Sequence, residues 1–134
     1  MCLFSKKKEN ISFRLTKLGD SLLGDLILGK KTYKNAMQCV LYNEEKKILI
    51  GDICVENNNY MKQINKGYGT LMMNELIKYA KENNYVRIVG NFGVADENSP
   101  EDPSHRERQI HFYKKFGFKI LPDESSPETM ELTL

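Results

Sequence analysis

The sequence predicts an α+β fold, a mixed and mostly antiparallel sheet that holds one parallel pair of strands and carries two helices. Three observations lead there. The first half of the chain alternates apolar and polar residues in short runs joined by turns, the middle changes to a helical period, and a run rich in branched residues follows that helix at once. Strand, helix and strand in that succession make a right-handed crossover between parallel strands. With 134 residues and 40% hydrophobic content, residues 1–134 are expected to form a single domain with its own core.

Taken in order, "ISFRLTKL" (Ile11 to Leu18), "LLGDLILG" (Leu22 to Gly29), "NAMQCVLY" (Asn35 to Tyr42) and "ILIGDICVE" (Ile48 to Glu56) read as strands. Short connections, "GDS" and "NEEKK" among them, make these an antiparallel meander. The stretch from Leu22 to Leu28 also fits a short helix, and the pattern leaves both open. Met73, Leu76, Ile77 and Ala80 then recur at i, i+3, i+4 and i+7, the apolar stripe of a helix of about five turns that Asn83 and Asn84 end. "YVRIVGNFGV" (Tyr85 to Val94) reads as a strand, and "ADENSPEDP" (Ala95 to Pro103), acidic and proline-bearing, as a loop. Ser104 suits the N-cap of a second helix, "HRERQIHFYKKF", which Gly117 ends in the left-handed conformation with Phe118 beyond it. "FKIL" and "TMELTL" close the chain as two strands around a polar turn.

Composition excludes several classes of function. A formal net charge of +2 gives no broad basic face, so nucleic acid is not an expected partner, and the run Lys6 to Lys8 is short enough to be a solvated start. Neither "MCLFSKKKEN" nor any later stretch holds the apolar run of a signal peptide or the about 18 apolar residues of a membrane span, so no membrane partner is expected and the protein reads as cytoplasmic. Three widely spaced cysteines, Cys2, Cys39 and Cys54, form no disulfide framework and suit a reducing compartment. His105 and His111 fall on different faces of a helix, and no metal site is expected.

Chemistry enters at "NKGYGTLMM". Lys66, Gly67, Tyr68, Gly69 and Thr70 lead straight into the first helix, whose leading amides have no intrahelical acceptor. Glycine removes the Cβ that would hold a ligand off, and free N–H groups with the helix dipole favour an anion, phosphate above all. The stretch therefore reads as a diphosphate cradle, against the plainer reading of a tight entry into the helix. A dinucleotide fingerprint lacks its third glycine, since Met72 stands there, and no Gly-Lys-Ser/Thr follows.

Together with "HFYKKFGF" (His111 to Phe118) downstream, this cradle makes the chain resemble the GNAT superfamily of N-acetyltransferases, over nearly its whole length and in the same element order. The resemblance implies a GNAT-type sheet whose central parallel strands, here Ile48 to Glu56 and Val86 to Phe92, splay apart to admit acetyl-CoA, with no metal. It implies that Lys66, Gly67, Tyr68, Gly69 and Thr70 hold the pyrophosphate and that the strand edge at Ile53, Cys54 and Val55 pairs with the pantetheine arm. Tyr113 falls where the family often keeps a tyrosine near the thioester sulfur, and a phenol, with a reference pKa of about 10, is suited to protonate a departing thiolate. Asp52 and Glu56, or a water held by strand carbonyls, are the candidates for the base that frees the acceptor amine. The side chains of Asp52 and Glu56 share a face if the strand is regular. Cys54 reads as a buried structural thiol.

The chain departs from the family in three places. Ile64 stands where Arg or Gln is usual, "ENNNYMKQI" lengthens the link from strand to cradle, and the stretch from Leu18 to Asn35 is too short for the two helices that normally follow the first strand. Those first two helices are thus reduced or absent, and the acceptor site is expected to be open, bounded by the "NNNYMK" loop, the 95–103 loop and a second subunit if the chain is a homodimer. Asp96, Glu97, Glu101 and Asp102 suit either a cationic amine or simple solvation. The expected function is direct acetyl transfer from acetyl-CoA to a primary amine on a small molecule or a protein. The alternatives are a non-catalytic acyl-CoA-binding module that regulates a partner protein and, more distantly, a phosphate-loop protein for another nucleotide.

Overall fold

The computed structural model describes residues 10–53, 67–91, 103–121 and 128–134, and the side chains of these except Asp52 and residues 103–106. In chain order the elements are β1 (Ile11–Leu18), β2 (Ser21–Leu28), β3 (Lys31–Tyr42), β4 (Lys47–Ile53), α1 (Tyr68–Glu82), β5 (Arg87–Gly90), α2 (Pro103–Lys115), β6 (Lys119–Ile120) and β7 (Met130–Thr133). They build a seven-stranded sheet in the order β1-β2-β3-β4-β5-β7-β6. Every pairing is antiparallel except β4 with β5. The fold is thus the mixed α+β sheet of the GNAT type, with its one parallel pair at the centre.

One row of cross-strand partners runs the full width of the sheet through Lys17, Leu22, Cys39, Ile50, Gly90, Met130 and Ile120. Its middle five residues are buried. The adjacent row, on the other face, runs Leu18, Ser21, Val40, Leu49, Val89, Glu131 and Lys119, and only Val89 in it is buried. One face is therefore the core and the other is largely wet, as antiparallel sheets allow. Both crossovers, β4-α1-β5 and β5-α2-β6, move the same way across the sheet, so right-handedness sets both helices on one face. Met72, Met73, Leu76 and Ala80 of α1 and Phe112 and Tyr113 of α2 accordingly join the cluster that contains Leu22, Ile50 and Met130.

Several expected boundaries move. The ambiguous second run is a strand, β2, because it lies between β1 and β3 with Leu22, Gly24 and Leu26 buried at alternate positions. β3 starts earlier than expected, at Lys31, and Gly29 (φ 61°) makes the turn before it. α1 has 15 residues, roughly four turns, and α2 begins at Pro103 instead of after a Ser104 cap. Proline fits the first helical position, where there is no intrahelical amide bond to lose. β5 starts at Arg87, after the expected Tyr85, for the Tyr85 amide caps α1 by donating to the Ala80 carbonyl (2.9 Å), and Phe92 to Val94 lie outside the described residues.

Both helices end in the same motif. After α1 the Tyr85 and Asn84 amides reach back to Ala80 and Lys81; after α2 the Phe118 and Gly117 amides reach Tyr113 and Lys114. Asn84 (φ 65°) and Gly117 (φ 98°) take the left-handed position that this double bond requires. Gly117 and Phe118 thus end the second helix as expected.

On the wet face, Lys47 and Arg87 are partners at the start of the parallel pair. The Lys47 ammonium lies 2.5 Å from Glu128 and 2.9 Å from Glu45, while Arg87 lies 3.4 Å from Glu131, 3.5 Å from Glu128 and 3.7 Å from Glu45. This network ties β7 and Glu128 ahead of it, and the β3–β4 turn, to the end of the parallel pair opposite the splay described below.

Candidate functional site

Among the described residues the parallel pairing stops before β4 does. It runs from Lys47 opposite Arg87 to Ile50 opposite Gly90, whereas β4 continues to Ile53. Beyond Ile50 the strand stays with β3 but not regularly: Cys39 pairs with Ile50 and Gln38 with Asp52, so Gly51 is an extra residue, a β-bulge. A Cβ on Gly51 would lie 3.2 Å from the Gln38 carbonyl oxygen, close enough to push the strands apart. On the side that β5 leaves, Gly51 to Ile53 have no strand partner among the described residues. Among the described residues no strand takes up the main-chain donors and acceptors of this edge at the centre of the sheet, and an amide-bearing chain can pair with such an edge.

α1 starts at the same end of the parallel pair, since it follows β4. Gly67 precedes it with φ 86° and ψ 5°, and the first intrahelical bond is from the Leu71 amide to the Gly67 carbonyl (3.1 Å). The amides of Tyr68, Gly69 and Thr70 come before that bond and have no intrahelical acceptor. Among the described residues no side chain caps this end, and no acidic residue lies in the first turn, so nothing in the helix neutralises its positive pole. Tyr68 and Gly69 are buried, which anchors the turn, while Gly67 is exposed and has no atom within 4 Å of where a Cβ would be. The open amides, the missing acid and the bare glycine fit a pyrophosphate.

Tyr113 is buried near the end of α2, its ring edge-on to Phe112 (centroids 5.2 Å apart) and to Phe118 (5.4 Å). Ile53, Tyr68 and Tyr113 belong to one buried cluster, so the end of β4, the start of α1 and the end of α2 share a core. Asp52 is placed by its backbone, opposite Gln38. The bulge precedes both Asp52 and Glu56 and leaves their relative phase unchanged, and the face they were expected to share lies outside the described residues at Glu56. Cys54, Val55, Glu56, Ile64, Lys66 and the acidic residues of the 95–102 loop lie outside the described residues.

Two residues that shape the splay had escaped sequence reasoning, Gly51 and Gly90. Their signal was glycine inside a strand-like run, a mark of a bulge or a close approach. Cys39 is no nucleophile: burial pushes its thiol up to about 12. Among the described residues no group of three or more His, Cys, Asp or Glu is placed to hold a metal, and no helix is long and apolar enough to cross a membrane. A model of the acetyltransferase (GNAT) family matches residues 39–118, from within β3 to the turn that follows α2. Uncharacterized protein YocC of Bacillus subtilis (strain 168) is 29% identical over 93 residues, which cover 69% of this chain and 48% of that protein. The chain thus spans about half the length of the curated relative it matches.

Proposed function

The chain belongs to the acetyltransferase (GNAT) family, and from that premise we propose that it transfers an acetyl group from acetyl-CoA directly to a primary amine. The observation that carries this reading is the splay: parallel pairing that ends at Ile50 and Gly90 beside an uncapped helix start at Gly67. When bound, acetyl-CoA supplies the activated thioester. The amides of Lys66 to Thr70 hold its pyrophosphate, and the edge of Ile53, Cys54 and Val55 pairs with the pantetheine amides. Asp52 or Glu56, or a water that their strand holds, takes the proton from the acceptor ammonium so that the amine attacks the thioester carbon. The Tyr113 phenol gives a proton to the departing thiolate. No covalent enzyme intermediate is needed, and 1–134 acts as one domain.

A second reading, a non-catalytic acyl-CoA-binding module, is favoured by the turn at Gly19 and Asp20. There β1 passes directly into β2, without the two helices that wall the acceptor pocket elsewhere in the family. Calorimetric titration with acetyl-CoA and CoA, on the wild type and on Gly67→Glu, tests the shared premise. Binding by the wild type that is lost in a variant still folded by circular dichroism is expected, because the new carboxylate enters the open space at Gly67. Absence of binding by the wild type overturns both readings. A screen of amines for CoA release then separates them, since steady release supports the enzyme and binding with no release supports the module.

A further inference from the structure

We propose that β1 is a dimerisation edge, where two copies of this chain pair antiparallel about a two-fold axis through Leu15. β1 is the outermost strand on one side of the sheet, eight residues long, and pairs with β2 in an unbroken register from Ile11 to Leu18. The other outer strand, β6, has two residues. β1 thus presents the one long row of main-chain donors and acceptors at an outer edge among the described residues, with neither proline nor bulge to blunt it. Ile11 and Leu18, at its two ends, are 45% and 60% exposed. Alongside it runs a groove lined by Phe13 and Leu15 of the strand and by Glu75, Lys78, Tyr79 and Glu82 of α1.

Symmetry restricts the register. Partners across an antiparallel pair share a face, so the axis must pass through a residue, not between two. An axis through Arg14 sets two guanidinium groups opposite each other, and axes through Phe13 or Thr16 shorten the paired stretch. With the axis at Leu15, residues 12–18 pair: Ser12 with Leu18, Phe13 with Lys17, Arg14 with Thr16, and Leu15 with itself. No like charges meet. The partner's exposed Lys17 then falls opposite Phe13, whose ring lines the groove beside Glu75 and Glu82. The groove carries two carboxylates, Glu75 and Glu82, against one ammonium, Lys78, so its lining is net negative; a further ammonium over its aromatic face is complementary in charge, and the two-fold makes the contact twice. This inference rests on the sheet edge and is independent of the proposed activity.

Sedimentation velocity over a concentration series tests it, with wild type, Leu15→Glu, Lys17→Glu and the triple variant Lys17→Glu, Glu75→Lys, Glu82→Lys. The wild type is expected at twice its 15.5 kDa monomer mass. Lys17→Glu, at an exposed position, should leave the monomer fold intact and raise the dissociation constant at least about tenfold, and the triple variant should recover most of that loss. Leu15→Glu, which sets two carboxylates on the axis, should be monomeric with a thermal melt still cooperative. A wild type that stays monomeric up to about 100 μM, or a dimer that survives both Leu15→Glu and Lys17→Glu, overturns the proposal.

Discussion

Ile50 and Gly90 face each other as the last partners of the parallel pair, and past them β4 has no neighbour on that side among the described residues. The close fit at this point is measurable. A Cβ on Gly90 would overlap the Met130 terminal methyl and lie 3.7 Å from Ile50 Cβ. Since that methyl is the far end of a flexible side chain, Gly90→Ala should cost about 1 kcal/mol and Gly90→Val about 2–3 kcal/mol. Urea denaturation reads both, with an unchanged slope expected.

A second glycine supports the edge of the sheet in another way. The Phe13 ring lies across Gly24 so closely that a Cβ there would overlap ring carbons. The aromatic ring thus replaces the side chain that Gly24 lacks. Gly24→Ala must displace the ring and should lower stability by about 1–2 kcal/mol, most of which Phe13→Leu in the same chain should restore, again by urea denaturation.

The two helix ends make opposite predictions. Asn84 carries a side chain at φ 65°, where glycine has no steric cost, so Asn84→Gly should raise stability by roughly 0.5 kcal/mol. Gly117, at φ 98° with Leu132 Cδ1 3.4 Å from where a Cβ would be, should lose about 1–2 kcal/mol on change to Ala. Thermal melting of both variants shows the two signs.

What the sequence made legible follows from what local chemistry decides. β1 matches its period-two run end to end because its turn residues, Gly19 and Asp20, punctuate it. Leu22 to Leu28 stayed ambiguous because only neighbours on both sides make it a strand. β5 starts later than its branched run because Tyr85 belongs to the end of α1, while Phe92 to Val94 lie outside the described residues. At the candidate site, Gly67 was readable from its missing Cβ at a helix start. The bulge at Gly51 was not, because it depends on which residues β3 sets opposite β4.

The ion network predicts a specific pH dependence. The Lys47 ammonium holds the Glu45 carboxyl below its ordinary range, first by hydrogen bonding and then by charge. Glu45 therefore binds its proton less readily folded than unfolded, and its contribution is present above the ordinary value of 4.5 and lost as pH falls through the lower folded value. The hydrogen bonds that Lys47 donates to Glu128 and Glu45 raise its pKa, so its contribution is whole below 10.5 and is lost only as pH rises beyond that. Lys47→Met should accordingly make the fall in melting temperature between about pH 5 and about pH 3 shallower. Equal slopes in wild type and variant would remove Lys47 from that role.

Tyr113→Phe separates packing from chemistry at the proposed acid. The ring is buried and edge-on to Phe112 and Phe118, contacts that phenylalanine keeps, so the loss of stability should be about 1 kcal/mol, the worth of a hydroxyl's hydrogen bond. If the hydroxyl protonates the departing thiolate, its absence is felt in the transition state and hardly in the bound ground state. The rate constant kcat should then fall by about 10²–10⁴-fold, with the calorimetric affinity for acetyl-CoA nearly unchanged. An unchanged kcat would leave Tyr113 as a core aromatic and pass the proton to water, and an equal loss of affinity and rate would point to a role in binding.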